Sequence, residues 1–432
     1  MVPEQITGFD KIRTDLSFAR RAFSLLAKNR GRLGELKHAR KPHPKSELER
    51  QRAFLKMLST KKYARFGDRI FFDMYVPSYP GPGFDRMIEA RLLGFEEGRE
   101  TPFIPTVDIA VTDACMYRCD HCYAIEALNQ KNAMSLDEWK MVVDRFQEIG
   151  TGAFSIVGGE PLLRFDDLCR LIEHGRDNSD MWVVTTGFKL TTTKAKQLKD
   201  AGLTAAAVSL DHYEPDKHNE FRKSPKAFDE AAKAVALFNQ AGVFPCLVVT
   251  ATRDVIRGGG LMKYMELAHQ LGAGIVEIFD PIAAGAFIDH PEERLRDDEL
   301  YELQAFQKRI NTAKEYAHLP AISTRTSIED AETFGCGAGG NNFIHVDPSG
   351  NLVPCPMLSM STGNVLTDGF DVAMGRMRKL FPHATAHGPQ CPANLLRDEI
   401  REAQLRTGKQ MLPYEESCKI CSHFPNTDPP TL

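Results

Sequence analysis

Hydrophobic and polar positions along the chain follow two regimes. Up to about residue 102 the spacing is helical. Ile12, Leu16, Ala19, Phe23 and Leu26 recur every three or four residues, an apolar stripe interleaved with Arg13, Arg20, Arg21, Lys28 and Arg30. Gly31 and Gly34 end that helix, Lys41-Pro-His-Pro44 reads as a turn or linker, and a second basic helix is predicted from about Ser46 to Ser59. Pro77, Pro80 and Pro82 mark an irregular connector, with a short helix after Phe84.

From Phe103 the pattern changes to alternation. Apolar runs of strand length at 107–111, 153–157, 181–185, 204–210, 243–250 and 274–279 are separated by helical patterns near 135–149, 165–175, 191–201, 226–241 and 260–271. Ser135-Leu-Asp-Glu138 has the form of a capping box opening the first of these helices. Six strands with intervening helices predict an α/β fold around a parallel sheet with right-handed crossovers, either open and doubly wound or a full or partial barrel. A longer helix is expected over 293–318. The remaining tail, rich in Gly, Pro and Cys with few long periodic elements, is expected to depend on bound metal for its stability. The chain therefore divides into a basic helical extension (1–102), an α/β core (103–285), a helical linker (286–330) and a small Cys-rich α+β domain (331–432).

Composition narrows the class. With 42% hydrophobic and 26% charged residues the chain reads as globular, and no apolar run reaches membrane-span length, so a cytoplasmic location is expected. The net charge of −4 argues against a nucleic-acid binder. That charge is unevenly spread: residues 11–62 hold sixteen Lys or Arg against four Asp or Glu, a net of +12, leaving −16 on the remainder. Such a basic amphipathic segment fits peripheral contact with an anionic membrane. It fits equally an arm that packs its stripe on the acidic body and leaves its charges solvated.

Ten cysteines are too few for a disulfide scaffold of this length, which leaves metal or catalysis. Cys115-Met-Tyr-Arg-Cys119-Asp-His-Cys122 directly follows the first strand of the α/β region. Three thiolates on one short loop suit a [4Fe–4S] cluster, and three ligands for four irons leave one iron open. An open iron at the carboxyl end of a parallel strand is a catalytic arrangement. The bland alternative, a zinc knuckle, needs a fourth ligand, which His121 could supply only by crowding next to Cys122. Cys169 and Cys246 are flanked by apolar residues and read as core.

The C-x3-C-x2-C spacing followed by Tyr123-Ala124 resembles the cluster motif of the radical S-adenosylmethionine (SAM) superfamily, over roughly residues 103–285. The second strand ends in Gly158-Gly159-Glu160-Pro161, similar to that family's motif for the SAM methionyl amino group. Glycines allow close backbone approach and a carboxylate accepts from an ammonium. Ser209 and Asp211 match positions that hold the SAM ribose, Thr185 and Thr186 are further pocket candidates, and His121 stands where the family usually has an aromatic ring beside adenine. The resemblance implies a partial (β/α)6 barrel and, as cofactors, SAM and a [4Fe–4S] cluster on Cys115, Cys119 and Cys122. SAM contacts would come from His121, Tyr123, Gly158, Gly159, Glu160, Ser209 and Asp211.

In the tail, Phe343 to Cys355 reads as a hairpin turning at Pro348-Ser-Gly350. With Cys336 it resembles the opening of the SPASM/twitch extension of radical SAM enzymes, C-x9–15-G-x4-C. The full pattern would continue beyond Cys418-Lys-Ile-Cys421, but the position six past Cys421 is Thr427 and no cysteine follows. The resemblance then implies one auxiliary [4Fe–4S] cluster on Cys336, Cys355, Cys418 and Cys421, leaving Cys391 over as an inert thiol, a substitute ligand or a hydrogen-atom donor. The implied activity is reductive cleavage of SAM to a 5′-deoxyadenosyl radical and hydrogen abstraction from a peptide, lipid or small metabolite. The implied partner is an electron donor such as flavodoxin or ferredoxin. The competing class is a non-catalytic iron–sulfur electron carrier or assembly protein, which needs no SAM pocket.

Overall fold

The computed structural model describes residues 1–28, 61–93, 104–328, 335–381 and 390–421. The predicted helix at 46–59 lies outside these residues, as does most of the basic arm.

The N-terminal part contains β1 (Glu4–Ile6), α1 (Gly8–Lys28), β2 (Tyr63–Phe66), β3 (Arg69–Phe71) and α2 (Pro82–Leu93). β1, β2 and β3 form a three-stranded antiparallel sheet, which adds strands to an extension expected to be mostly helical. The overlooked signal is a hairpin: Tyr63-Ala-Arg-Phe66 and Arg69-Ile-Phe71 flank the two-residue turn Gly67-Asp68, with Gly67 at φ +62°. The stripe on α1 is corrected too. Phe18 and Leu25 are buried, while Ile12, Leu16 and Phe23 are exposed. The helix has two apolar faces, and the aromatic box of Phe18, Tyr63, Phe72, Tyr79 and Phe84 selected the other one.

The core alternates strand and helix: β4 (Thr106–Ala110), α3 (Leu136–Glu148), β5 (Ala153–Val157), α4 (Phe165–Gly175), β6 (Asp180–Thr185), α5 (Thr192–Ala201), β7 (Ala205–Ser209), α6 (Pro215–Arg222), α7 (Ala227–Ala241), β8 (Phe244–Thr250), α8 (Gly260–Leu271) and β9 (Ile275–Phe279). All six predicted strands and all five predicted helices form. The Ser135 cap is real: its hydroxyl accepts from the Glu138 amide while the Glu138 carboxylate accepts from the Ser135 amide. α9 (Asp297–Thr312) then leads to a further parallel strand, β10 (Ala321–Thr324).

The tail supplies β11 (Phe343–Val346), β12 (Asn351–Val353), β13 (Gly363–Asn364), α10 (Phe370–Leu380), the single turn α11 (Pro392–Leu395), α12 (Arg397–Thr407) and α13 (Tyr414–Cys421). The predicted hairpin turns where expected, His345 pairing with Val353, and it continues the core sheet, with β11 parallel to β4. One ten-stranded sheet results, in the order β10-β9-β8-β7-β6-β5-β4-β11-β12-β13. It is the partial barrel expected, widened at both edges.

Period-two alternation separates the two faces of this sheet. Outward residues such as Val107, Ile109, Phe154, Ile156, Val183, Ala206 and Leu247 join the helices in one large core. Inward residues at the amino-terminal end, including Trp182, Ala205, Ala207, Phe244, Cys246 and Ile275, pack on Phe66 and Phe71 of the N-terminal sheet and on Met74 just beyond it. Phe71 stacks on Phe244 at 3.8 Å. The extension thus plugs the bottom of the barrel, so an interior site is reached from the carboxyl ends of the strands. Cys246 is buried in this plug and Cys169 packs against the outer core, as read from their flanks.

Candidate active site

The loop after β4 carries Cys115, Cys119 and Cys122, and all three line a cavity at the carboxyl end of the sheet. The loop is fastened on several sides. Asn129, at φ +63°, accepts from the Cys115 amide at 3.0 Å and donates to the Cys115 carbonyl at 3.2 Å. The Asp120 amide donates to Phe221 O at 3.1 Å, and the Ala286 amide to Cys122 O at 3.0 Å. Burial pushes the Cys115 thiol up to about 11 and Cys122 up to about 12. Thiolates at these positions therefore require a cation, which bound iron supplies.

The glycine pair lies against this loop. A Cβ on Gly158 would stand 2.5 Å from Thr112 O, and one on Gly159 2.2 Å from Ala114 O. The Gly159 amide donates to Thr112 O at 2.7 Å and the Glu160 amide to Ala114 O at 2.8 Å. Both glycines line the cavity, but Glu160 is fully buried behind it. Its carboxylate accepts from Leu162 N (3.0 Å), Thr185 Oγ1 (2.6 Å), Thr186 N (2.8 Å) and Thr186 Oγ1 (2.6 Å). Glu160 thus ties the end of β5 to the end of β6, and the surface facing the cavity is glycine backbone together with Thr185 and Thr186.

Ser209 and Asp211, at the end of β7, line the same cavity. Burial pushes the Asp211 carboxyl up, but Arg222, His121, His218 and the Thr250 amide outweigh it and hold the group at about 2. Arg222 was not singled out from the sequence. It ends the short helix α6, is 6% exposed, donates to Asp211 Oδ2 and reaches Cys119 Sγ at 3.7 Å. A buried guanidinium held by one carboxylate thus bears on one of the three loop thiols. His121 stacks on Phe221 at 4.8 Å and borders the cavity, with its pKa lowered by burial to about 4. Tyr123 lies at the boundary with the tail, edge-on to His345 at 6.0 Å.

Two further residues emerge from the geometry. Asp108 on β4 and His345 on β11 are register partners, 7% and 3% exposed, and both line the cavity. Among the described residues, Asp108 Oδ1 and His345 Nδ1 have no hydrogen-bond partner. Burial pushes Asp108 up to about 7 and His345 down to about 4. The sequence signal was present: each is a polar residue inside an otherwise apolar strand, Val107-Asp108-Ile109 and Ile344-His345-Val346. Asp280, paired with Arg325 at 2.6 and 2.9 Å, closes another part of the wall.

In the tail, Cys336 and Cys355 line a second cavity, which shares Tyr75, Phe279, Asp280, Ile282, Pro356 and Met357 with the first. The Met357 amide donates to Cys355 Sγ at 3.4 Å. Cys418 and Cys421, one turn apart on α13, are not among the residues lining it, whereas Cys391 is.

The donor set of the first cavity fits a [4Fe–4S] cluster. Three thiols surround a space, and among the described residues no three His, Cys, Asp or Glu side chains converge on a point that a single ion would occupy. Barrel, cysteine loop and glycine cradle together define the radical SAM class. Residues 109–269 match the Radical SAM superfamily, so this segment is a radical SAM domain, a catalytic domain with SAM and a [4Fe–4S] cluster as its cofactors.

Among its relatives, AdoMet-dependent heme synthase of Oleidesulfovibrio alaskensis is 28% identical over 279 residues, covering 59% of this chain and 70% of that protein. Mycofactocin maturase MftC of Mycolicibacterium smegmatis is 25% identical over 285 residues, 64% of this chain and 70% of that one. The structure of Streptococcus suis SuiB bound to precursor peptide SuiA superposes with a TM-score of 0.50 at 15% identity. That match covers 63% of this chain and 64% of SuiB, and the likeness is one of fold. None of the described helices is long and apolar enough to cross a membrane.

Proposed function

We propose that the chain reductively cleaves SAM and uses the resulting radical to take hydrogen from an unactivated C–H bond of an organic substrate held between the barrel mouth and the tail. The observation that carries this reading is one cavity bordered by Cys115, Cys119, Cys122, the Gly158–Gly159 backbone and Asp211 on one side, and by Asp108 and His345 on the other. With cluster and SAM bound, the group supplies one-electron cleavage of the sulfonium to methionine and a 5′-deoxyadenosyl radical.

The chain's own residues position and shield. Gly158 and Gly159 present backbone where any side chain would collide with the 112–114 loop. Asp211, held ionised by Arg222, is an acceptor suited to ribose hydroxyls. His121 supplies a flat ring beside the adenine. Asp108 and His345 are buried polar groups awaiting partners, so a substrate that hydrogen-bonds to them removes a desolvation cost of about 1–3 kcal/mol per group. A substrate carrying an amide, carboxyl or hydroxyl group near its reacting carbon fits, and both a peptide and a tetrapyrrole-type precursor qualify. The maturase and heme synthase relatives support those classes. The electron comes from a small donor of the flavodoxin or ferredoxin kind, and Cys336 and Cys355 hold an auxiliary [4Fe–4S] cluster beside the substrate.

A non-catalytic iron–sulfur carrier is disfavoured, because it needs neither the glycine cradle nor a cavity with unpaired polar groups. Anaerobic reconstitution followed by SAM and dithionite tests the reading. 5′-Deoxyadenosine should form, and should vanish when Cys115, Cys119 and Cys122 are changed to Ala. Its absence from the reconstituted wild type would sink the enzymatic reading.

A further inference from the structure

Cys391 is the cysteine for which sequence spacing finds no place. It is 6% exposed and sits at the start of the single turn α11. A buried cysteine is usually a small hydrophobe, and by itself this one would be no more. The structure, however, sets it on the wall of the cavity already lined by Cys336 and Cys355. We propose that Cys391 is a thiolate ligand of the auxiliary iron–sulfur cluster, standing with Cys336 and Cys355 around one cavity in place of the pair on α13.

Three separate segments bring these cysteines to the wall of that space. The loop after Cys336 is joined to the strand end before Cys355 by the Gly339 amide donating to Pro354 O at 2.9 Å. Cys355 has its Sγ within reach of the Met357 amide, a donor of the kind that steadies a ligating sulfur. Cys391 is anchored to the core rather than to the rest of the tail. Gln390 donates to Asp297 Oδ1 at 2.6 Å, and Asn394 Oδ1 accepts from the Ala283 amide at 2.9 Å. Thiolates gathered from three segments around one cavity are the donor set of iron–sulfur chemistry, whereas a purely packing cysteine has no reason to share a cavity with two others. By contrast neither Cys418 nor Cys421 is among the residues lining this cavity. A ligand anchored at residues 283–297 would also couple this cluster to the barrel mouth, because Ile282 lines both cavities.

The inference rests on the presence of an auxiliary cluster, and the test separates the two. The full-length Cys115→Ala/Cys119→Ala/Cys122→Ala protein, reconstituted anaerobically, should hold about four irons per chain with a cubane EPR signal on reduction. No iron in this background removes the auxiliary cluster itself. Adding Cys391→Ala should lower iron at least fourfold, and Cys391→Ser, which preserves size but offers oxygen, should shift the g-values. Full iron with unchanged g-values in either variant overturns the assignment while leaving the cluster in place. So does loss of iron in Cys418→Ala/Cys421→Ala with retention in Cys391→Ala. To show that the fold survives, Cys391→Ala with the first three cysteines intact should keep the far-UV circular dichroism spectrum of the wild type, and a collapsed spectrum would mark Cys391 as structural and also overturn the assignment.

Discussion

Changing Glu160 to Gln should destabilise the core without removing a SAM contact. Each carboxylate oxygen accepts one backbone amide and one threonine hydroxyl: Leu162 N and Thr185 Oγ1 on one, Thr186 N and Thr186 Oγ1 on the other. A glutamine fills the same space but offers one oxygen and one NH2. Either threonine hydroxyl can rotate to accept, whereas a backbone amide cannot. Whichever way the side chain turns, the amide of Leu162 or of Thr186 therefore faces an N–H. The loss is one hydrogen bond to a charged group, about 1.5–3 kcal/mol, plus a stranded buried donor, about 1–3 kcal/mol, hence about 3–5 kcal/mol together. At roughly 2–4 °C per kcal/mol for a core of this size, the melting temperature should fall by roughly 6–20 °C. The assay is a far-UV melt of the reconstituted protein, paired with SAM binding measured well below the transition. Thr186→Val in a double-mutant cycle should show strong coupling to Glu160→Gln. SAM affinity should stay within about threefold. A melting point within about 1 °C of wild type, together with a tenfold loss of SAM affinity, would refute the reasoning and return the carboxylate to the amino group of SAM.

Other expectations follow from the same geometry. Arg222→Met breaks a buried pair with Asp211, at a cost of about 3–5 kcal/mol. It also removes a cation beside Cys119, which should lower the cluster potential by on the order of 100 mV at an effective dielectric constant of about 20. Redox-titrated EPR reads this, and Arg222→Lys should recover most of it. Gly159→Ala pushes a methyl into the Ala114 carbonyl and should reduce both iron content and 5′-deoxyadenosine formation at least tenfold, whereas Gly375→Ala, with open space around it, should be silent. Asp108 sets a pH dependence. Its folded value of about 7 lies above the ordinary carboxylate range, so between about pH 4 and 7 the folded state holds a proton that the unfolded chain has released. Stability from this group is therefore complete below about pH 4 and lost as pH rises through 7, by roughly 4 kcal/mol in total. Asp108→Asn should gain on the wild type in urea midpoints between pH 5 and 8, and a gap independent of pH would count against a buried neutral carboxyl.

Much of this was legible in the residues because the chemistry is local. Strand and helix alternation depends on spacing within ten or fifteen residues, and a three-cysteine loop is recognisable wherever the strand before it ends. What escaped was set by distant contacts. The outward stripe of α1 and its buried face are both apolar, and only the aromatic box at residues 63–84 decides between them. Arg222 lies eleven residues from Asp211 and looks like an ordinary surface charge until α6 folds back over Cys119. Glu160 has the right neighbours for a ligand contact, but the two threonines that engage its carboxylate arrive from the next strand. Cys391, a lone cysteine on a distant turn, carries no local signal of the kind a C-x2-C pair gives, and its place beside Cys336 and Cys355 is visible only in the folded chain.

The pairing of β11 with β4 explains why the two cysteine-lined cavities stand so close. β4 ends at Ala110, just before the loop that carries Cys115, Cys119 and Cys122, and β11 leads through the hairpin to Cys355. Parallel register makes Asp108 and His345 neighbours on the inner face, so two of the unpaired polar atoms of the cavity come one from the core and one from the tail. Tyr123, one residue past Cys122, is edge-on to His345. A substrate seated against Asp108 and His345 would thus sit between both thiol clusters. Substrate recognition, radical generation and the second cluster are then joined by one strand pair, and a change that loosens β11 from β4 should disturb all three together.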